Sequence, residues 1–318
     1  MPVVLKSGAG GPFHVRESCL LRTFSHEAPE MAEAARTIGT ASVPQAVLDE
    51  LSWRVSQGKV DLPLLPGVAM EVTNVAAQES ADSRTIAELL RKDQAMAAHV
   101  LRVVSSPVYS GRTQIVSLQQ AVARLGVQKI REISLAIAFR VGVFKLKGFE
   151  SEITGLFQHS VSAAMFAAEV ARVTRRNVED AFMCGLLHDV GRPVILQALV
   201  QILSEQRLHV PPAAVVAATG DLHCDVGGTL ADAWGLPEAV EMSIRHHHSG
   251  SPPDAHVNSV RITSLADELA RYTFEPEKLP EAELRKHPAL APLELYPEML
   301  DKVLAKGESI RQAAGVLS

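Results

Sequence analysis

The stretch Asn177-Val-Glu-Asp-Ala-Phe-Met-Cys-Gly-Leu-Leu-His-Asp-Val-Gly-Arg-Pro193 decides the fold. Asn177 is a residue type whose side-chain oxygen accepts an unsatisfied N–H at a helix start, and Asp180 stands at the third helical position. A helix is therefore predicted from about Val178. It runs apolar toward His188-Asp189, where Gly191 and Pro193 are expected to break it. The His-Asp pair then sits at a helix C-terminal end, where the backbone gives way and a pocket can open. The dipeptide alone means little, and its weight comes from other His and Asp residues that fall on inward faces of neighbouring helices.

Upstream, helical periodicity over Leu156 to Thr174 places His159, Ala163, Phe166 and Val170 on one stripe. Downstream come His223 and then a His triplet at 246–248. Pro237 suits the first turn of a helix on which Val240, Ile244, His247 and His248 share a face, whereas His246 points elsewhere. In Val257–Tyr272, the residues Val260, Ser264 and Asp267 line one side, so an otherwise apolar helix presents a carboxylate inward. Burying that charge unpaired is costly, which argues for a cation beside it. Imidazole and carboxylate are the side chains that hold first-row divalent metals. His159, His188, Asp189, His223, His247, His248 and Asp267 together supply enough for one or two ions, with iron, manganese or nickel as the expected metals. His159, His188, Asp189 and Asp267 are expected at one position, and His223, His247 and His248 at a second. Each residue taken singly has an ordinary reading: His159 or His223 as a satisfied core residue, Asp189 as partner of Arg192, Asp267 as partner of Arg261 or Arg271, and the triplet as a solvated helix end favoured by the helix dipole. Their shared inward placement favours metal binding. His14, His26, His99, His209, His256 and His287 show no such arrangement.

The rest of the chain reads as consecutive helices. Thr85 and Glu88 form a capping box opening a helix on which Ile86, Leu89, Leu90, Ala97, Val100, Leu101 and Val104 make an apolar stripe; Ser117 and Gln120 form another, closed by Gly126. Ile130, Ile133, Ile137 and Val141 mark the next. This organisation divides the chain into an extension without periodicity at 1–42, a helical lobe at 43–147, a lobe carrying the candidate ligands at 148–273, and a tail at 274–318. The tail is expected to wind over the surface on its prolines, packing on the lobe that carries the candidate ligands, and to finish in a helix beginning near Glu298. Hydrophobic residues make up 47% of the 318 residues and aromatics only 4%, so the core is built from Leu, Val, Ile and Ala, and an all-α fold is expected. The formal net charge of −5, without a Lys/Arg run, argues against nucleic acid or an acidic membrane surface as partner. Cys19, Cys184 and Cys224 lack paired spacing and do not indicate a disulfide framework. Cys184 and Cys224 lie near candidate ligands and are read as small buried apolar residues. No stretch approaches the roughly 18 apolar residues of a membrane span, and the expected location is the cytoplasm.

With these residues in view, the chain resembles the HDOD family, the HD-related output domains of bacterial signalling proteins within the superfamily of metal-dependent HD phosphohydrolases. The resemblance rests on Leu62-Pro-Leu-Leu-Pro-Gly-Val, Lys92-Asp-Gln-Ala-Met-Ala-Ala-His-Val-Leu-Arg, Ser117-Leu-Gln-Gln-Ala-Val-Ala-Arg-Leu-Gly and Gly185-Leu-Leu-His-Asp-Val-Gly-Arg. It continues through Leu222-His-Cys-Asp-Val-Gly-Gly-Thr-Leu, Trp234-Gly-Leu-Pro and Ile244-Arg-His-His-His, and covers roughly residues 43 to 318. It implies an HD-like helical bundle with an N-terminal helical lobe, a signalling partner, and a regulatory role as scaffold or ligand sensor. It also implies an alternative, a metal-dependent phosphohydrolase acting on a phosphomonoester, a nucleotide or a cyclic nucleotide phosphodiester. In that reading Asp189 bridges the metals and Arg192 steadies a phosphate or nucleotide.

The sequence departs from the related HD-GYP phosphodiesterases of cyclic di-GMP, whose Gly-Tyr-Pro signature is replaced by Ser249-Gly-Ser-Pro-Pro-Asp. Gly155 stands where those enzymes carry a further Glu, so a third metal is not expected. Arg192 replaces the Lys that usually follows His-Asp-x-Gly, keeping a cation but with fork geometry. Ser105-Ser106-Pro107 stands where HDOD proteins commonly show Asn-Ser-Ala.

Overall fold

Asn177 accepts hydrogen bonds from the backbone N–H groups of Glu179 at 3.0 Å and Asp180 at 3.2 Å, and its amide donates to the Asp180 carboxylate at 2.7 Å. The central helix therefore starts where its first N–H groups find side-chain acceptors. The computed structural model describes residues 42–61, 71–72, 75, 82–110, 115–143, 146–220, 222–249 and 252–317. Every regular element among the described residues is helical, and the protein is all-α. The extension expected at 1–42, apart from Ser42, and the Leu62–Val68 motif lie outside the described residues, as do His14, Cys19 and His26.

The principal helices are α1 (Gln45–Ser56), α2 (Ser83–Arg91), α3 (Gln94–Val104), α4 (Leu118–Val143), α5 (Glu150–Val173) and α6 (Val178–Leu187). They are followed by α7 (Gly191–Glu205), α8 (His223–Ala233), α9 (Glu238–His246), α10 (Val257–Phe274), α11 (Pro297–Leu304) and α12 (Gly307–Leu317). Helices α5, α6 and α10 form the centre, with α5 packed most extensively on α6 and then on α10. One apolar cluster runs from Val47, Ile86 and Val100 through Ile130, Ile137 and Phe139 to Phe157, Leu186, Ile195 and Ile244, so the N-terminal and ligand-bearing helices share a core. A second joins Phe166, Val170, Leu265 and Leu269 to the C-terminal segment.

Five expectations change. Helix α2 opens at Ser83, because the Asp82 carboxylate accepts from the Thr85 N–H at 2.7 Å; Glu88 pairs with Arg84 at 3.0 Å and is not half of a capping box. The single stripe from Ile86 to Val104 is split between α2 and α3, since Asp93 caps a new helix by accepting from the Met96 N–H at 3.0 Å. Gly191 and Pro193 do not end the helical run. His188, Asp189 and Val190 make a turn, and α7 resumes at Gly191 with Pro193 in its first turn, where a missing N–H costs no helical hydrogen bond. The tail does more than wind over the surface of the ligand-bearing lobe: Leu284, Leu293, Leu300, Val303 and Ile310 are buried in the second core cluster. The segment Val178–Glu205 is by length and composition apolar enough to cross a membrane, contrary to the sequence reading, but most of it is buried inside the fold. Ser117 does cap α4, accepting from the Gln120 N–H at 3.1 Å, and Gly126 breaks that helix with φ of 84°.

The tight α5–α6 packing depends on a glycine. A Cβ on Gly185 would lie 2.7 Å from the Ala163 carbonyl oxygen and 2.8 Å from Ala164 Cα, backbone atoms that cannot rotate away. Gly155, exposed on α5, would meet nothing within 4 Å. Gly185→Ala is therefore expected to lose about 1–3 kcal/mol through overpacking. Gly155→Ala is expected to gain about 0.5–1 kcal/mol by restricting the unfolded chain. Urea denaturation of both variants measures this, and shifts of the same sign would refute the close approach.

Candidate metal centre

The seven candidate residues come from five places in the chain and meet in one cluster. His159 is mid-α5, His188 and Asp189 form the turn after α6, His223 opens α8, His247 and His248 follow α9, and Asp267 faces inward from α10. Their approach needs Gly191, whose Cβ would fall 2.0 Å from the His223 carbonyl oxygen and 2.8 Å from the Gly227 nitrogen. Any larger residue would push α8 away from the His-Asp turn.

Three imidazoles are oriented by backbone carbonyls. The Nδ1 atoms of His188 and His223 lie 2.7 Å from the carbonyl oxygens of Gly185 and Gly220, and Nδ1 of His247 is 2.9 Å from that of Ile244. A carbonyl can only accept, so each Nδ1 carries the proton, and in the neutral ring Nε2 is left with a lone pair facing the cluster. The Nε2 atoms of His159 and His188 are 3.3 Å apart, and those of His223 and His247 are 3.4 Å apart. Where both Nε2 atoms of such a pair are unprotonated, as the carbonyls dictate for neutral His223 and His247, the facing lone pairs repel unless a cation or proton lies between them.

The carboxylates face the same space. Asp189 Oδ1 lies 3.2 Å from His223 Nε2 and 3.7 Å from His247 Nε2. It is buried and has no hydrogen-bond donor. Asp189 Oδ2 accepts from Arg192 Nε at 2.6 Å, with His188 Nε2 at 3.7 Å and His159 Nε2 at 3.9 Å. Asp267 Oδ1 is 3.0 Å from His159 Nε2, and its Oδ2 is 3.9 Å from His248 Nδ1. The donor atoms fall into two groups, Asp189, His223, His247 and His248 in one, and His159, His188 and Asp267 in the other, each within 4.8 Å of its fellows. Asp189 was expected with the His159 position. Its Oδ1 belongs with His223 and His247, and only Oδ2 faces His188 and His159.

The charges match this geometry. Burial lowers His188 to about 4 and His223 to about 3, so both rings are neutral and deprotonated at Nε2 near pH 7. Burial also pushes His247 down, but Cys224 and Asp189 outweigh it and raise the ring well above its ordinary value, so positive charge is favoured at that point. Burial pushes the Asp189 carboxyl up, and Arg192, His188 and His223 more than offset it, holding it well below the usual carboxylate range. Asp267 is likewise kept ionised against its burial, chiefly by the hydrogen bond to His159. The neutral imidazoles of His188 and His223 aimed inward, a position at His247 that favours positive charge, two ionised carboxylates and an orphaned oxygen are a donor set that fits divalent cations, and separations of 3–4 Å are what ligands sharing one ion leave between them.

Arg192 ties to Asp189, and no such contact joins Asp267 to Arg261 or Arg271 among the described residues. His246 lies outside both donor groups. His287 is buried with Nδ1 accepting from the Ala289 N–H at 3.1 Å, an ordinary satisfied core position. Cys184 is buried, its thiol pushed up to about 12 by burial. Cys224, read from sequence as another small apolar residue, is half-buried with Sγ 3.3 Å from His223 Nε2. The signal for it was adjacency to His223 at the helix start.

The HDOD domain family model matches residues 62–250. An uncharacterised protein from Treponema pallidum is 26% identical over 235 residues, 69% of this chain and 45% of that protein, so the chain spans less than half the length of this curated relative. The crystal structure of an HDOD domain protein of unknown function from Geobacter sulfurreducens aligns with a TM-score of 0.64 and 25% identity, covering 86% of this chain and 99% of that one. A Shewanella amazonensis protein provisionally named a metal-dependent phosphohydrolase has the same fold, with a TM-score of 0.64 at 19% identity over 85% of this chain and 98% of its own. With the family pattern matched over more than half of its length, on the helical fold these structures share, this chain belongs to the HDOD family.

Proposed function

We propose that the chain is a regulatory module of bacterial signal transduction, a scaffold or ligand sensor whose HD-type site holds one or two divalent first-row ions. The observation that carries the regulatory reading is the commitment of Arg192. Arg192, the cation that would steady a phosphate in an enzyme reading, donates its Nε to Asp189 Oδ2 at 2.6 Å and helps keep that buried carboxylate ionised. The cluster is also enclosed: His188, Asp189, His223, His247 and Asp267 are buried, leaving His159 and His248 at its rim. Residues 43–147 supply the surface for a signalling protein partner, and the ligand-bearing lobe supplies the sensor. The formal charge of −5 supports neither nucleic acid nor membrane as partner, and the proposed location is the cytoplasm.

His159, His188 and Asp267 would hold one ion, and Asp189, His223, His247 and His248 the other. Bound there, a divalent ion supplies Lewis acidity and positive charge in a site of low dielectric. The chain's own contribution is orientation: carbonyls fix the Nδ1–H tautomers, and Arg192 fixes Asp189. A second reading, a phosphohydrolase acting on a phosphate ester or nucleotide, is supported by the completeness of this donor set, with Asp189 and Arg192 as its catalytic pair. Cyclic di-GMP is not its expected substrate, since Ser249-Gly-Ser-Pro-Pro-Asp replaces the signature of those enzymes.

Two outcomes are expected. Elemental analysis should find manganese, iron or nickel in gently purified protein, and free metal at 100 times Kd should stabilise it by about 2.7 kcal/mol. Replacing His188 and Asp189 together by Ala should abolish both effects, because each donor group loses a member. Absence of metal even after reconstitution would refute the site. In a phosphoester panel the metal-loaded protein should turn over no natural substrate faster than about 1 s⁻¹, the low end of ordinary enzymes. Faster metal-dependent hydrolysis, lost on Asp189→Ala, would establish the second reading. Under the regulatory reading, Asp189→Ala changes metal occupancy while partner capture through residues 43–147 persists.

A further inference from the structure

We infer that the Cys224 sulfur is a ligand of the ion held by Asp189, His223 and His247, making this half of the centre a mixed N/O/S site. The inference rests on the metal-binding reading above and extends it to a residue outside both donor groups.

Two independent observations meet here. Cys224 Sγ lies 3.3 Å from His223 Nε2, the ring atom that faces the cluster because Nδ1 is held by the Gly220 carbonyl, and 4.0 Å from His247 Nδ1. Opposite it, Asp189 Oδ1 is buried without a hydrogen-bond donor and points at the same His223 Nε2 from 3.2 Å. Sulfur, carboxylate oxygen and the His247 nitrogen thus each lie 3.2 to 3.4 Å from one atom, His223 Nε2, and Asp189 Oδ1 is 3.7 Å from His247 Nε2. These are the gaps left by donors that sit about 2.0–2.3 Å from a common ion. Cys224 would join Asp189, His223, His247 and the rim residue His248 in the shell of this ion. His248, with 37% of its side chain exposed, forms the open side of that shell and also lies 3.9 Å from Asp267 Oδ2.

The ordinary alternative is that the Cys224 thiol donates a weak hydrogen bond to His223 Nε2. The two arrangements differ in where the proton is. As a ligand the sulfur binds through a lone pair of the thiolate, and the thiol proton passes to solvent as the metal–sulfur bond forms. A thiolate in the shell also biases metal choice. It favours zinc, iron(II) and cobalt(II), and it disfavours manganese and magnesium, which prefer oxygen donors.

Cobalt(II) is the probe, because thiolate ligation gives a charge-transfer band in the near ultraviolet that nitrogen and oxygen ligands do not. The full chain, stripped of metal and titrated with cobalt(II), is expected to show this band together with visible d–d absorption. In Cys224→Ser the band disappears, cobalt still binds, and affinity falls at least about 10-fold, the lower end for groups supporting a metal site. A Cys19→Ser/Cys184→Ala double variant, which leaves Cys224 as the chain's only cysteine, retains the band and assigns it even where Cys224→Ser folds poorly. Cobalt bound without a charge-transfer band in the wild-type chain, or a band that survives Cys224→Ser, overturns the assignment of Cys224 while leaving the metal centre standing. No cobalt uptake at all overturns both.

Discussion

The buried ion pair between Asp189 and Arg192 is the interaction around which the centre is organised. A carboxylate enclosed to this degree would ordinarily take up a proton, because the low-dielectric interior disfavours its charge. Arg192 Nε at 2.6 Å, three residues along the same turn, keeps it ionised. The pair uses one oxygen only, and the other faces His223 and His247 with no donor of its own. A local contact within one turn of the chain therefore fixes the charge, and the leftover valence of that charge faces the cluster. Lys in place of Arg192 would supply the charge without the planar guanidinium geometry that Nε donation uses.

The histidines obey a complementary constraint. Each of His188, His223 and His247 meets a carbonyl three residues earlier in its own helical or turn segment, so the backbone that positions the ring also chooses its tautomer. Helix ends provide the carbonyls: the last turn of a helix has C=O groups without intrahelical partners, and a His at the C-terminal end can donate to one of them. His188 and His247 occupy the cap positions of α6 and α9, which explains why these two sit where helices stop. Gly191 lets α8 approach closely enough for His223 to join them.

Much of this was legible because the decisive signals are local and periodic. Asn177 announces its helix by capping chemistry, and the inward Asp267 stands out on an apolar stripe because few forces other than a cation justify it there. His247 and His248 separate from His246 by helical phase alone. The errors have equally physical causes. Thr85 and Glu88 fit the capping-box spacing, but Asp82 reached the same N–H first, and spacing cannot rank two competing acceptors. Proline density suggested a surface tail, yet prolines shape only the turns, and Leu284, Leu293 and Leu300 between them carry the burial. Pro193 looked like a terminator because a single sequence does not show whether a new helix starts beneath it. Cys224 was passed over because its proximity to His247 is tertiary, set by how α8 meets α9.

Helix α6 gives the centre a mechanical link to the rest of the fold. Its ten residues span about 15 Å, with His188 and Asp189 at one end and Glu179 in the first turn at the other. Glu179 Oε2 accepts from Arg131 Nη1 at 2.6 Å, and Arg131 is a buried residue of α4, the long helix of the N-terminal group. The helix is capped by Asn177 at its start and closed by His188 at its end, so it joins the His-Asp turn directly to the Glu179–Arg131 contact. Along its flank, Gly185 brings α6 within backbone contact of α5, which leaves little room for sliding between them. The same helix that presents two candidate ligands thus touches, at its other end, the helices proposed to meet a partner, a continuity on which the proposed sensing would rely.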